Sequence, residues 1–382
     1  MKYCKSCFYP ETKPDLVFDK KQICSACISF NERLNINWDE RENQFLKIAQ
    51  KIKNQKQTNY DCVIPVSGGK DSTWQVLKVL EYGLNPLCVN SRTCDFSEIG
   101  RVNLENIRKL GVDLIEVSPN PKVRKKLNKI GLLEVGDISW PEHVGIFTIP
   151  VKIALNFQIQ YIFWGENAQN EYGGPISKMN NAVLDRSWLE EFGGLLGLRL
   201  SDLTDSYGIK KEELLIYMYP EKKEIKKANL QGLFLGHYFP WNGFENAIIA
   251  KKNGFQYYEK EVEGASNNYE NLDNFQAGIH DYFKYLKYGF GRTTDIICNL
   301  YRRKLITKEE AEDKIKKNDG KFPITYLGKN INNILEEIDV TFEEFIKTCD
   351  KFTNKKIFKC DNSGKPTRDK NFNLDLNDNP FS

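Results

Sequence analysis

Residues 63–77 read VIPVSGGKDSTWQVL: an apolar, β-branched run halts at Ser67-Gly68-Gly69-Lys70-Asp71-Ser72, and residues of helical periodicity resume at once. A strand that passes into a helix through six residues belongs to a βα unit, because the helix must fold back over the sheet that holds its strand. The flanking chain repeats the pattern. Strands are expected over 60–66, 85–90, 112–117 and 161–164, and helices over 72–82, 97–110, 121–130 and 146–157, the last beginning helically after Pro150. This alternation predicts an α/β fold with a parallel sheet covered on both faces. The chain has 382 residues, 40% of them hydrophobic, which is enough for more than one core.

Beyond residue 180 the alternation fades into helical stretches over 276–287, 295–303 and 308–317. The organisation expected is a metal-binding module at 1–35, a connecting helix at 36–58, the α/β domain at 59–180, a mainly helical substrate or assembly region at 181–350, and a loosely held polar tail at 351–382. The chain opens without an apolar leader and its apolar runs are interrupted well short of a membrane span, so a cytoplasmic location without a membrane partner is expected. In a reducing compartment the ten cysteines are read for metal or redox chemistry. Cys4-x2-Cys7 and Cys24-x2-Cys27 can bring four thiolates to one Zn²⁺, as in a zinc ribbon or treble clef. Four sulfur ligands leave no position for water, so this metal holds the module together and does no chemistry.

The loop after the first strand lies at the carboxyl edge of the sheet, where α/β folds bind ligands. Gly68 and Gly69 permit close backbone approach, the helix start offers free N–H groups and a favourable dipole, and Lys70 adds a cation. An anion fits such a place. Asp71 is a candidate for Mg²⁺; Ser67 and Ser72 can donate to phosphate oxygens or simply cap the helix. No GxxxxGK[ST] stretch is present, so this is not the Walker loop. The turn Gly165-Glu166-Asn167 follows another expected core strand, which makes Glu166 and Asn167 candidates for the nucleotide or for an incoming nucleophile, with Glu171 a further one; the alternative is a solvated polar loop. Arg292, between Gly291 and Thr293, has the planar fork that grips carboxylate or phosphate. His143, His237 and His280 read at least as well as structural residues.

SGGKDS resembles the SGGxDS loop of the PP-loop ATP pyrophosphatases, the group with an adenine-nucleotide α-hydrolase-like fold that includes NAD synthetase, GMP synthetase and tRNA thiolases. The resemblance implies ATP and Mg²⁺, a loop of Ser67, Gly68, Gly69, Lys70, Asp71 and Ser72 that grips pyrophosphate, and an adenylylated intermediate. Such chemistry is largely positioning and charge stabilisation, so few acid–base groups are required. Over nearly its whole length the chain is similar to bacterial N-acetyl sugar amidotransferases, on the CxxC pairs, the loop, WGENAQNEYGG at 164–174 and HDYFKYLKYGFGRTTD at 280–295. That family, which serves pseudaminic acid and lipopolysaccharide biosynthesis, implies conversion of a sugar acetamido group to acetamidino, with nonulosonic acids such as pseudaminic and legionaminic acid among the substrates and flagellin among the glycans' destinations.

No GxCxG nucleophile turn is present, and Cys4 is assigned to metal, so ammonia is expected from solution or, as the resemblance implies, from a separate glutaminase subunit with a cyclase-like companion. The rival reading is a tRNA 2-thiolation enzyme. A net charge of +3, from 55 Lys and Arg against 52 Asp and Glu, disfavours nucleic acid, although 122–129 and 222–227 are locally basic. A regulator that merely binds nucleotide would have no use for Asp71.

Overall fold

The computed structural model describes residues 1–55, 59–173 and 196–377. Five short apolar segments, β1 (Cys62–Pro65), β2 (Pro86–Ser91), β3 (Asp113–Val117), β4 (Tyr161–Trp164) and β5 (Gln231–Phe234), form one parallel sheet in the order β3-β2-β1-β4-β5. Val63 sits opposite Leu87 on one side and Ile162 on the other. The period of two sorts side chains onto two cores. Val63, Leu87, Val89 and Ile162 pack with Ile149, Val151 and Ala154 of α6 (Trp140–Asn156). Cys62, Ile64, Cys88 and Phe163 pack on the other face with Phe45 and Ala49 of α2 (Trp38–Gln55) and with Trp74, Val76 and Val79 of α3 (Lys70–Glu81).

Three sequence expectations change. Strand β5 joins the sheet beside β4, so the α/β unit runs past 180 into the region read as helical; QGLF is too short to show a period. Helix α6 starts at Trp140 and continues through Pro150, because the buried stripe of Val144, Ile149, Val151 and Ala154 outweighs the one ladder bond that proline cannot donate. The supposed tail, in its described part, is packed. Phe358 and Leu374 are buried among Tyr282, Phe283, Leu286 and Phe345; bridges join Phe358 to Leu376 and Arg368 to Leu374; and Arg368 Nη1 pairs with Asp350 at 2.5 Å. Its polar composition reflects the outer face of an irregular layer whose few apolar residues point inward. Residues 174–180, with the last residue of the 164–174 segment, and 378–382 lie outside the described residues.

The cysteine module leans on the C-terminal helices. Cys4, Cys7, Cys24 and Cys27 share a core with Phe290, Ile297, Cys298, Ala311 and Ile315, and Tyr9 Oη donates to Asp295 Oδ1 at 2.9 Å. No helix among the described residues is long and apolar enough to cross a membrane.

The packed C-terminal layer makes a measurable difference. Phe358→Ala should lower the free energy of unfolding by about 3–5 kcal/mol, the usual cost of emptying a buried aromatic site, as measured by urea titration. A change below about 1 kcal/mol would mean that the segment is a loose tail after all.

Candidate functional site

The order β3-β2-β1-β4-β5 reverses direction between β1 and β4, and the loop after β1 and the turn after β4 both leave the sheet there. This is the topological switch point, where a crevice opens beyond the carboxyl ends of the strands. Gly68 takes φ +88°, and a Cβ on it would lie 2.7 Å from the backbone nitrogen of Leu104, so only glycine lets the loop pass α4 (Glu98–Lys109) this closely. Gly69 is the N-cap of α3; its carbonyl accepts from Thr73 N–H, Ser72 Oγ and Thr73 Oγ1, each at 3.0 Å. The amides of Lys70, Asp71 and Ser72 precede that first helical bond and lie at the rim of a cavity of about 100 Å³, lined also by Asn103, Tyr269, Glu270 and Asp273.

Lys70 is buried. Its Nζ donates to Asp71 Oδ2 at 2.7 Å and to Glu270 Oε1 at 2.8 Å, and lies 5.9 Å from the centroid of the Tyr269 ring. Burial alone would lower its pKa, but the two carboxylates outweigh burial and hold it well above the ordinary lysine value. The other oxygen of Asp71 accepts from Asn246 Nδ2 at 2.9 Å. Glu166, two residues after β4, is pushed up to about 7, first by burial and then by the charge of Asp71. Asn167 is buried beside it, and its carbonyl starts the short α7 (Ala168–Tyr172) by accepting from Asn170 N–H at 2.9 Å. A Cβ on Gly165 would overlap Gln75 of α3 and Trp241, which keeps that turn a glycine. Gln75 Oε1, Asn90 Oδ1 and Thr93 Oγ1 are buried at this edge without a hydrogen-bond partner among the described residues. Free helix-start amides, a glycine cradle and a lysine beside an aspartate form a set that fits a nucleotide triphosphate with Mg²⁺, which Asp71 would hold.

The other candidates fall outside the loop cavity. Arg292 opens the helix Arg292–Arg302 and sets its fork on Asp281, Nη2 to Oδ1 at 3.0 Å and Nε to Oδ2 at 3.2 Å. It also lines a separate cavity of about 320 Å³ with Asp281, Asp319 and Tyr326. Its charge nonetheless reaches the buried hydroxyl of Tyr172, whose pKa burial raises, Glu166 and Glu270 raise further, and Arg292 and Lys70 moderate. Glu171 is a clasp: it pairs with Arg33 of α1 (Ser25–Arg33) and, at 3.1 Å, with Arg303 Nη2. His237 contacts Arg41, away from the loop.

Four thiols converge as their spacing requires. Cys4 Sγ lies 3.9 Å from Cys27 Sγ, and Cys7 Sγ lies 3.7 Å from Cys24 Sγ. A tetrahedral zinc ion with bonds of about 2.3 Å spaces its sulfurs by roughly 3.8 Å. Cys24 N–H donates to Cys4 Sγ at 3.2 Å, and buried Arg302 reaches Cys7 Sγ at 3.9 Å, both of which favour thiolate. The cluster is compatible with structural zinc.

Sequence reasoning missed Glu270, Asn246 and Arg303, each distant along the chain from its partner, and it left Asp137 unread. Nothing local to Glu270 in NNYENLDN marks it as a partner of Lys70.

Comparison with known proteins adds two findings. A family model described as the C-terminal domain of WbpG-like LPS biosynthesis proteins matches residues 263–371, the segment that supplies Glu270, His280 and Arg292. Among solved structures, NMN synthetase from Francisella tularensis is similar at 14% identity and a TM-score of 0.27, over 51% of this chain and 94% of that one. No curated protein matches the chain.

Two outcomes follow from these geometries. The purified protein should carry one zinc per chain by elemental analysis, and Cys24→Ser should lose both the metal and several degrees of melting temperature; full metal retention in that variant would refute the cluster. Glu166 binds its proton more tightly folded, at about 7, than its ordinary value of 4.5, so its contribution to stability is complete below about 4.5 and is lost as pH rises through 7. Glu166→Gln, without nucleotide, should therefore melt higher than wild type at pH 8 and gain much less at pH 5. A uniform shift at both pH values would mean that Glu166 titrates normally.

Proposed function

We infer that this chain is an ATP-using enzyme of sugar biosynthesis that adenylylates the acetamido oxygen of an N-acetylated sugar and exchanges that oxygen for ammonia-derived nitrogen, releasing AMP and PPi and leaving an acetamidino group. The observation that carries this reading is one cavity built from two sources: the SGGKDS loop of the sheet, and Tyr269, Glu270 and Asp273 of the segment that matches the lipopolysaccharide-biosynthesis model. A nucleotide-activating loop thus faces a sugar-pathway segment.

The chain's own residues account for the first half of the reaction. The amides of 70–72 and the Lys70 ammonium are aimed at the departing pyrophosphate, and Gly68 and Gly69 admit it to the backbone. Mg²⁺, when bound, supplies charge neutralisation on the phosphates, and Asp71 would hold it. Glu166 and Asn167 stand across the switch point, where they can orient the amide to be activated. The acceptor in this reading is a nonulosonic acid such as pseudaminic or legionaminic acid, its nucleotide-activated form, or an acetamido sugar of lipopolysaccharide.

Nitrogen reaches the site as ammonia, from solution or from a separate glutaminase with a cyclase-like companion. Burial pushes the thiols of Cys62, Cys88 and Cys349 up, and Cys94 is pushed up to about 11, so these are poor nucleophiles for a glutamine amide. Cys298 is buried against the zinc-type cluster.

With ATP, Mg²⁺, ammonium and a panel of acetamido sugars, the protein should release PPi only when the correct sugar is present, and the product should lose about one mass unit, as O is replaced by NH. Asp71→Ala should reduce PPi release by at least about 10²-fold. PPi release stimulated by tRNA and by no sugar would instead identify a thiolation enzyme. Glutamine should replace ammonium poorly unless a glutaminase is added.

A further inference from the structure

Asp137, His143 and His280 form a closed set, brought together from two stretches of the chain. Asp137 follows a wide π-helical turn, Gly131–Val135, after α5 (Pro121–Ile130), and a left-handed Gly136 (φ +62°). Lys287 Nζ pins that bend by donating to the carbonyls of Val135 and Gly136 at 2.7 and 3.0 Å. The Asp137 carboxylate accepts three N–H groups: Ser139 N–H on Oδ1 at 3.0 Å, His280 Nδ1 on Oδ1 at 2.8 Å and His143 Nδ1 on Oδ2 at 2.8 Å. The two imidazoles stand edge to face with centroids 4.9 Å apart.

These bonds decide the tautomers. A carboxylate with three donors can only accept, so both Nδ1 atoms carry the hydrogen and both Nε2 atoms are bare bases when the rings are neutral. The carboxylate is 4% exposed and the rings are 26% and 28% exposed, so the Nδ1 edges are the buried ones and the outer edges carry Nε2. One carboxylate thus orients both rings.

A hydrogen-bonded path joins the pair's neighbourhood to the loop cavity, which Asn271 lines. His280 is followed by Asp281, which receives both the Arg292 fork and, at 3.3 Å, Asn271 Nδ2, and Asn271 follows the Lys70 partner Glu270. The charge of Arg292 is felt both by His143 and by Tyr172, and Tyr172 in turn feels Glu166, Glu270 and Lys70. Buried Glu142 is the other charged group that bears on His143.

We propose that His143 and His280, oriented by Asp137, are the proton acceptor for the nitrogen nucleophile in the second half-reaction. The proposal rests on the function inferred above, and the proton balance of that reaction calls for such a group. Ammonia adds to the adenylylated carbon, forming a C–N bond, and the adduct bears an –NH₃⁺ group. Breaking the C–O bond to AMP at that stage would leave a doubly charged carbon–nitrogen unit. One proton must leave the nitrogen first, and it passes to an imidazole Nε2; AMP then departs with the C–O electron pair and the product is a singly charged amidinium. Ammonium as the entering species adds one further proton to the same route. No oxidant or reductant enters.

The test separates the two halves. Sugar-dependent exchange of labelled PPi into ATP reports adenylylation and needs no nitrogen. Product formation is then followed with ammonium and, separately, with hydroxylamine, a much weaker base that is unprotonated at neutral pH and whose adduct sheds its proton readily to water. The double variant His143→Gln/His280→Gln should keep PPi exchange within a few-fold, lose about 10²-fold or more of the ammonium-driven rate, and keep most of the hydroxylamine-driven rate. Equal losses with both nucleophiles, loss of exchange as well, or an ammonium rate within about threefold of wild type would each overturn the proposal. Absence of exchange in the wild type with every acetamido sugar would instead overturn the parent reading.

Discussion

The buried ammonium of Lys70 is the interaction on which the rest of the site depends. An isolated lysine at that depth would shed its proton or pull water in, because desolvating an ammonium costs several kcal/mol. Asp71 and Glu270 prevent this, and they come from different parts of the chain: one from the next residue, the other from the segment beyond the sheet domain. The loop conformation is therefore incomplete until the C-terminal region has docked. Asn246 completes the arrangement by taking the second oxygen of Asp71, so the carboxylate is aligned before any ligand arrives. Preorganisation of this kind is what electrostatic catalysis on phosphates requires, since charges that need not reorient lose nothing at the moment of reaction.

How much of this could be read from the sequence follows from how local each feature is. The strand–loop–helix at 63–77, the helices expected over 97–110 and 121–130, the helices near 277–288 and 308–318 and the four-cysteine set are encoded within short windows, by period, punctuation or spacing, and the structure has them within a few residues of the expected bounds. Partnerships across the chain are not encoded that way. Glu270 lies in a polar stretch that reads as a loop, and Asp137 follows an apolar run with no mark of its role. Strand β5 is four residues long and recognisable only because β4 offers it a ladder. The packing of 351–377 was illegible for another reason: composition averages over a segment, whereas burial is decided by single residues such as Phe358 and Leu374.

The cysteine module shows how a small four-thiol cluster can bear on a distant site. Its own fold is too small for a sufficient hydrophobic core, so four sulfurs and a tetrahedral ion would supply the missing stability. What it stabilises extends beyond itself. Arg33, on the helix that begins right after Cys24, pairs with Glu171, and Arg303 grips the same carboxylate from the helix whose other end carries Arg292. Arg302 Nη2 also donates to the Glu171 carbonyl at 3.0 Å. Glu171 sits four residues after Asn167 and five after Glu166, on the short helix that those residues lead into. The module thus holds one end of the turn that forms the second wall of the switch point. A helix of five residues has almost no stability of its own, so its position is set by these clasps. Loss of the module's order would free the Glu166 turn and the Arg292 helix together, while the strand pairing of the sheet, which draws on neither, would persist.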